Sequence, residues 1–248
     1  MICASKSRQP NIGAPELAKL STTLASLNFK AMAINIALYE RLDLPVLSTA
    51  RPFWFYRKVF FNDQSEAEVL QSLQGKTVID VGCGLTPFTA DSMFQACHHH
   101  QIDFYGIDPK LEQGFQFGIL DAAKSFMTGA KHRPKAEMPG LEKAIAAWAD
   151  QLPFETGSVD TILSSWLLFI WIKDPHLLTK IFREFSRVLA PGGSIRLYPT
   201  PHWEHLQRRY PEMTAHLNAW HRVQQFDFSL HPGSMFFSFI THLTKPEN

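Results

Sequence analysis

The apolar positions change period along the chain, and each change marks an element. From Pro15 to Leu42, "PELAKLSTTLASLNFKAMAINIALYERL", they recur at every third and fourth residue, which predicts one or two helices. Pro45 and Pro52 break the segment that follows. "DQSEAEVLQSLQ" is helical again, with Asp63 or Ser65 as N-cap and an end before Gly75. Beyond it, short apolar runs alternate with helical stretches. Strands are predicted at Thr77–Val81, Phe104–Asp108, Val159–Ser164 and Ser194–Tyr198, with an Ala-rich edge element near Ile145–Asp150. Helices are predicted at Pro87–Cys97, Leu111–Phe126 and Pro175–Leu189, and "APGG" is a turn before the strand that follows it. This order predicts a parallel sheet covered on both faces. The end differs. "HWEHLQRRYPEMTAHLNAWHRVQQ" reads as helical with a break at Pro211, and "FDFSL" and "MFFSFITHLT" as aromatic strands joined through "HPGS". Those two strands predict an antiparallel hairpin at the sheet edge.

Composition narrows the partners. At 248 residues the chain fits one medium-sized domain with an extension. A net charge of +1 supplies no general field for polyanions, so neither nucleic acid nor an anionic membrane is an expected partner. Cys3, Cys83 and Cys97 have no metal-type spacing, which predicts a reducing, cytoplasmic setting without disulfides. The first residues lack a continuous apolar segment, so neither a signal peptide nor a membrane span is expected, and residues 1–13 read as a frayed tail. His98–His100 are consecutive at a helix end and cannot converge on one ion, so no metal is expected.

The candidate chemistry begins at "VIDVGCGLTPFT". Gly82 and Gly84 lack Cβ and let a ligand approach the turn after a buried strand. Asp108, ending the next strand in "FYGIDPK", is placed to accept hydrogen bonds from ribose hydroxyls. "DQLPF" at Asp150–Phe154, "SVD" ending at Asp160, and "LAPGG" before a strand then follow in order. With these pieces the chain resembles the class I S-adenosylmethionine-dependent methyltransferases, in the subgroup with the D-x-LPF…S-x-D…LxPGG pattern. The resemblance spans about Thr77 to Tyr198.

The resemblance implies a doubly wound, Rossmann-like α/β fold. Its seven-stranded sheet is mostly parallel, with an antiparallel C-terminal strand. Residues 1–74 would form a tail and helical lid or extension, and residues 75–248 the methyltransferase-fold domain. It also implies S-adenosyl-L-methionine as cofactor, with Asp80, Gly82, Cys83 and Gly84 against its methionine portion. Asp108, with Pro109, would take the ribose. Asp150 and the Gln151 backbone would take the adenine, and Ser164, Ser165 and Trp166 would floor the site between cofactor and acceptor. Several of these positions have a second use: Asp108 before Pro109 suits a helix N-cap, Asp150 a solvated loop acid, and Asp160 a structural role.

Two features depart from the pattern. Thr86 stands in place of a third glycine, and with Pro87 it reads as N-cap and first residue of a helix. Small-amine N-methyltransferases are locally similar, with a Thr at the end of a Gly-x-Gly-Pro-Thr turn. The Asp108–Asp150 spacing is long, and residues 128–140 read as an inserted surface loop.

Methyl transfer from a sulfonium needs in-line placement and exclusion of water more than a catalytic side chain. Aromatic faces could assist, with Tyr39, Trp54, Tyr56, Trp166, Tyr198 and Trp203 as candidates, each of which also suits packing. "PTPHWEH" offers His202, Glu204 and His205 at the carboxyl edge of the sheet, so His202 is the candidate base beside Tyr56 and Trp166. The expected partner is a small-molecule methyl acceptor, with oligomeric state open. The competing readings are a non-catalytic protein of the same fold and an NAD(P)-dependent oxidoreductase.

Overall fold

The computed structural model describes residues 50–118, 132–227 and 238–247. The expected tail, the helices within Pro15–Leu42, candidate Tyr39 and the "HPGS" turn lie outside these residues.

Two helices precede the sheet, α1 (Phe53–Phe60) and α2 (Glu66–Leu73). Of the two expected caps for α2, Ser65 is the one used. Its hydroxyl accepts from the Glu68 backbone while the Glu68 carboxylate accepts from the Ser65 backbone N–H, a reciprocal pair that satisfies two orphan donors. Strand β1 (Thr77–Val81) leads through the glycine turn to helix α3 (Met93–His99) and strand β2 (Asp103–Ile107). The short β3 (Ala144–Ile145) pairs with β2, and β4 (Val159–Ser165) with β1. Helix α4 (Pro175–Val188) runs into β5 (Leu189–Thr200), then come α5 (Trp203–Arg209), α6 (Pro211–His216), β6 (His221–Asp227) and β7 (Ser238–Thr244).

The strands form one seven-stranded sheet in the order β3-β2-β1-β4-β5-β7-β6. β1 to β5 are parallel, and β7 inserts antiparallel between β5 and β6, as the resemblance implied. Successive strand residues feed opposite faces. Ile79, Ile162 and Leu197 join one core with α4, α5 and α6, whereas Val78, Leu163 and Tyr198 join the other with α1, α2 and α3. Both faces are therefore covered, and residues 53–73 share a core with the sheet.

Four expectations change. The chain after the glycine turn makes only a 3-10 turn, Thr86–Phe88, and the helix waits until Met93. Thr86 does not cap it. Ser92 does, accepting from the Gln95 backbone, while the Thr89 hydroxyl donates to Leu85 O and closes the intervening turn. Within the expected helix Leu111–Phe126 the described part is a 3-10 turn, Pro109–Gln113, followed by irregular chain to Gly118. "APGG" lies inside β5, where a Cβ on Gly193 would meet Ala190 O at 2.9 Å, so glycine permits the close passage. Finally, "HRVQQ" is the start of β6 and not helix. The Gln224 side chain accepts from Trp203 N and donates to Pro201 O and Thr241 Oγ1, contacts that a continued helix would forgo.

Candidate functional site

β1 ends at the carboxyl edge of the sheet, where open α/β folds bind ligands. The turn there is stitched to β2. The N–H groups of Gly82 and Cys83 both donate to Ile107 O, at 2.8 and 3.3 Å. Gly82 and Gly84 take φ values of +81° and +56°, the left-handed region that side chains resist. A Cβ on Gly82 would also sit 2.9 Å from Leu167 Cδ2. The Gly84 N–H donates to Asp108 Oδ2 at 3.1 Å, so the two halves of the expected cofactor motif touch. Asp108 Oδ1 accepts from the Lys110 N–H at 3.0 Å and caps the 3-10 turn that begins at Pro109. The acid thus fills its capping role while touching the glycine turn.

Asp80 is fully buried. Tyr56, also fully buried and carried by α1, donates its hydroxyl to Asp80 Oδ2 at 2.5 Å and lies 3.4 Å from Thr86 Oγ1. Asp80 Oδ1 has no hydrogen-bond partner. Burial pushes the Asp80 carboxyl up to about 6, against the pull of the Arg51 charge and the Tyr56 hydroxyl. Burial, and next the Asp80 charge, push the Tyr56 phenol well up, so it stays protonated and donates. Cys83 is buried with its thiol pushed up by the same desolvation, which makes it inert packing in the turn.

Arg51 was not singled out from the sequence. It is 5% exposed, and its guanidinium donates to Gly82 O at 3.3 Å and Ser165 O at 2.9 Å, bridging the carboxyl ends of β1 and β4. The sequence signal is a lone charge set in an apolar run, "ARPFWFY".

At the end of β4 the Ser164 hydroxyl donates to Val81 O, and the Ser165 hydroxyl is buried without a partner. Trp166 has φ +58°, donates its backbone N–H to Tyr198 O and meets the Tyr198 ring edge-on at 5.9 Å. A bulky residue in that backbone region is costly and is found where a site fixes it. Tyr198 in turn meets Phe55 at 6.1 Å, so α1, β4 and β5 share one aromatic group.

Asp150 is half-buried and Gln151 exposed in the turn after β3. The motif they open is anchored by α4: Leu152 N–H donates to Glu184, and Arg187 donates to Leu152 O and Phe154 O. Asp160 is structural, accepting from the Thr77 N–H at 2.8 Å. His202 is exposed just ahead of α5, with its ring 5.2 Å from that of Phe239. Among the described residues no group of three or more metal-ligating side chains converges, and no helix is long and apolar enough to cross a membrane.

The chain is similar to several known proteins. Residues 79–197 match the family model described as a methyltransferase domain. A curated relative, phosphoethanolamine N-methyltransferase 1 of Triticum aestivum, is 28% identical over 128 residues. That match covers 51% of this chain and 22% of the relative, so the chain spans about a fifth of the relative's length. Among solved structures, a SAM-dependent methyltransferase from Methanosarcina mazei aligns with a TM-score of 0.44 at 15% identity, over 73% of this chain and 98% of that one. Geranyl diphosphate C-methyltransferase from Streptomyces coelicolor A3(2) aligns at 0.40 and 14%, over 81% and 91%. The stretch that matches the methyltransferase-domain model, residues 79–197, runs from inside β1 to near the end of β5 and includes the glycine turn, Asp108 and Asp150.

Proposed function

We propose that this chain transfers a methyl group from S-adenosylmethionine to a small-molecule acceptor in the cytoplasm. The observation that carries the reading is the Gly84–Asp108 hydrogen bond, which joins a turn open to close approach with an acid suited to ribose hydroxyls. The donor set fits the cofactor. Asp80 Oδ1 and Ser165 Oγ are buried polar atoms without partners beside that turn, as a site that completes its hydrogen bonds with ligand would show.

When bound, S-adenosylmethionine would supply a methyl already activated on its sulfonium. The chain's work is then to bind, orient and exclude water. Asp80, Gly82, Cys83 and Gly84 would hold the methionine portion. Asp108 and Pro109 would hold the ribose, and Asp150 and Gln151 the adenine. Trp166, fixed against Tyr198, would present an aromatic wall on the acceptor side. Tyr56 is sealed against Asp80 and acts as a positioning residue. Residues 1–74 would serve as an extension to the domain at 75–248, with Arg51 and Tyr56 reaching from it to the turn.

The test is calorimetric titration with S-adenosylmethionine and S-adenosylhomocysteine, beside Asp108→Ala. Binding by the parent chain and its loss in the variant are expected. An acceptor panel headed by small amines, phosphoethanolamine included, then reads turnover. No binding by the parent would overturn the proposal, and binding without any turnover would favour a non-catalytic role.

A further inference from the structure

Arg51 is a buried cation whose chemistry is incomplete. A guanidinium carries five N–H donors, and the two hydrogen bonds it makes are to the neutral carbonyls of Gly82 and Ser165. Its Nε is buried with no hydrogen-bond partner. Among the described residues no carboxylate lies within 4.0 Å of it. Asp80 feels its charge at longer range but bonds to Tyr56 instead. Buried charges are ordinarily paired, because an unpaired one loses hydration without return. Arg51 is therefore a forked donor lacking its anion, beside the turn that the proposed function gives to the cofactor.

We infer that Arg51 recognises the carboxylate of the cofactor's amino-acid end. This rests on the cofactor reading above. Within that ligand the choice is narrow, because the carboxylate is the cofactor's only anionic group. A guanidinium placed at Gly82 would repel the sulfonium and the ammonium, so it must face the carboxylate for binding to be favourable. The matching half is present too. Asp80 Oδ1, an acceptor without a partner two residues before Gly82, has the sign to receive the ammonium. Donor and acceptor of opposite charge at one turn suit a zwitterionic α-amino acid.

The experiment separates the two ends of the ligand. S-adenosylhomocysteine carries the amino-acid end, and methylthioadenosine lacks it while keeping ribose and adenine. Both are titrated into the parent chain, Arg51→Met and Arg51→Lys, with thermal midpoints recorded for each. Arg51→Met is expected to weaken S-adenosylhomocysteine about 10- to 100-fold, the range for one charge-assisted contact. Methylthioadenosine should change by less than about threefold. Arg51→Lys, which keeps charge but loses the fork, should fall between. Equal losses on both ligands would make Arg51 a strut between β1 and β4 and overturn the inference. So would unchanged affinity for both. Should the variants fail to fold, the parent chain still decides: equal affinity for S-adenosylhomocysteine and its decarboxylated analogue overturns the assignment. If the parent binds neither nucleoside, the cofactor reading falls, and this one with it.

Discussion

The Tyr56 hydroxyl is bonded to Asp80 Oδ2 at 2.5 Å with both side chains fully buried, so a helix outside the motif region bonds directly to a motif carboxylate. Burial raises the Asp80 carboxyl from 3.8 to about 6, and Arg51 and the Tyr56 bond pull it down while the Asp108 charge pushes it up. The folded chain therefore holds this proton more tightly than the unfolded chain. Its contribution to stability is full below about pH 4 and is lost as pH rises through about 6. Asp80→Asn removes the titration while keeping an acceptor for Tyr56. Relative to the parent, the variant should gain about 2–3 kcal/mol between pH 4 and pH 7, while losing cofactor affinity. Denaturation across that range checks it, and a difference flat with pH would refute it.

Tyr56→Phe acts on the same carboxyl in the opposite sense. It deletes a bond that favours the ionised form, so the Asp80 titration should move further up and the pH-dependent loss of stability with it. Because Tyr56 is fully buried and bonded to Asp80, the variant should weaken cofactor binding near neutral pH more than it slows turnover at saturation. A fall in saturated rate with affinity untouched would instead make Tyr56 a catalytic group.

The glycine turn gives a comparison within one chain. Gly82 and Gly75 both have positive φ, +81° and +69°, but a Cβ on Gly75 meets nothing within 4 Å. Gly75→Ala should cost only the left-handed backbone, about 1–2 kcal/mol. Gly82→Ala adds the collision with Leu167 and should cost at least about 1 kcal/mol more. Leu167→Ala should recover part of that excess in the double variant. Urea unfolding of the four proteins measures it, and equal costs at the two glycines would show that Leu167 yields freely.

What the sequence revealed and what it hid follow from the range of the interactions. Gly82, Gly84 and Asp108 were legible because a strand, a tight turn and an acid after the next strand are local patterns. The antiparallel pairing of β6 and β7 was legible because the aromatic strands are also local, whereas the insertion of β7 came from the resemblance. Arg51 was not, since its partners Gly82 and Ser165 are 31 and 114 residues away and its neighbours in sequence look like packing. The start of β6 was misread as helix because "HRVQQ" has no strand-like alternation, and its pairing with β7 and the Gln224 bonds override local preference. The helix after the glycine turn was placed early because Thr86 and Ser92 are both capable caps, and burial of Thr86 near Tyr56 decides between them.

The "LPF" segment carries the last expectation. Leu152 is buried, yet its backbone donor goes to Glu184 and its acceptor to Arg187, which also takes Phe154 O and binds Glu184 in an ion pair at 2.7 Å. One arginine thus positions the turn that presents Asp150. Arg187 is partly exposed, so the ion pair itself is worth little, and the loss on substitution comes from Phe154 O left without a donor and Leu152 O left with the Phe154 N–H alone. Arg187→Ala should cost about 1–3 kcal/mol of stability. It should also weaken S-adenosylhomocysteine by several-fold through a loosened Asp150, without contact to the ligand. Arg187→Lys should restore stability only in part, because an ammonium cannot span both carbonyls and the carboxylate as the fork does. Lost stability with unchanged affinity would separate this turn from the adenine site and remove Asp150 from it.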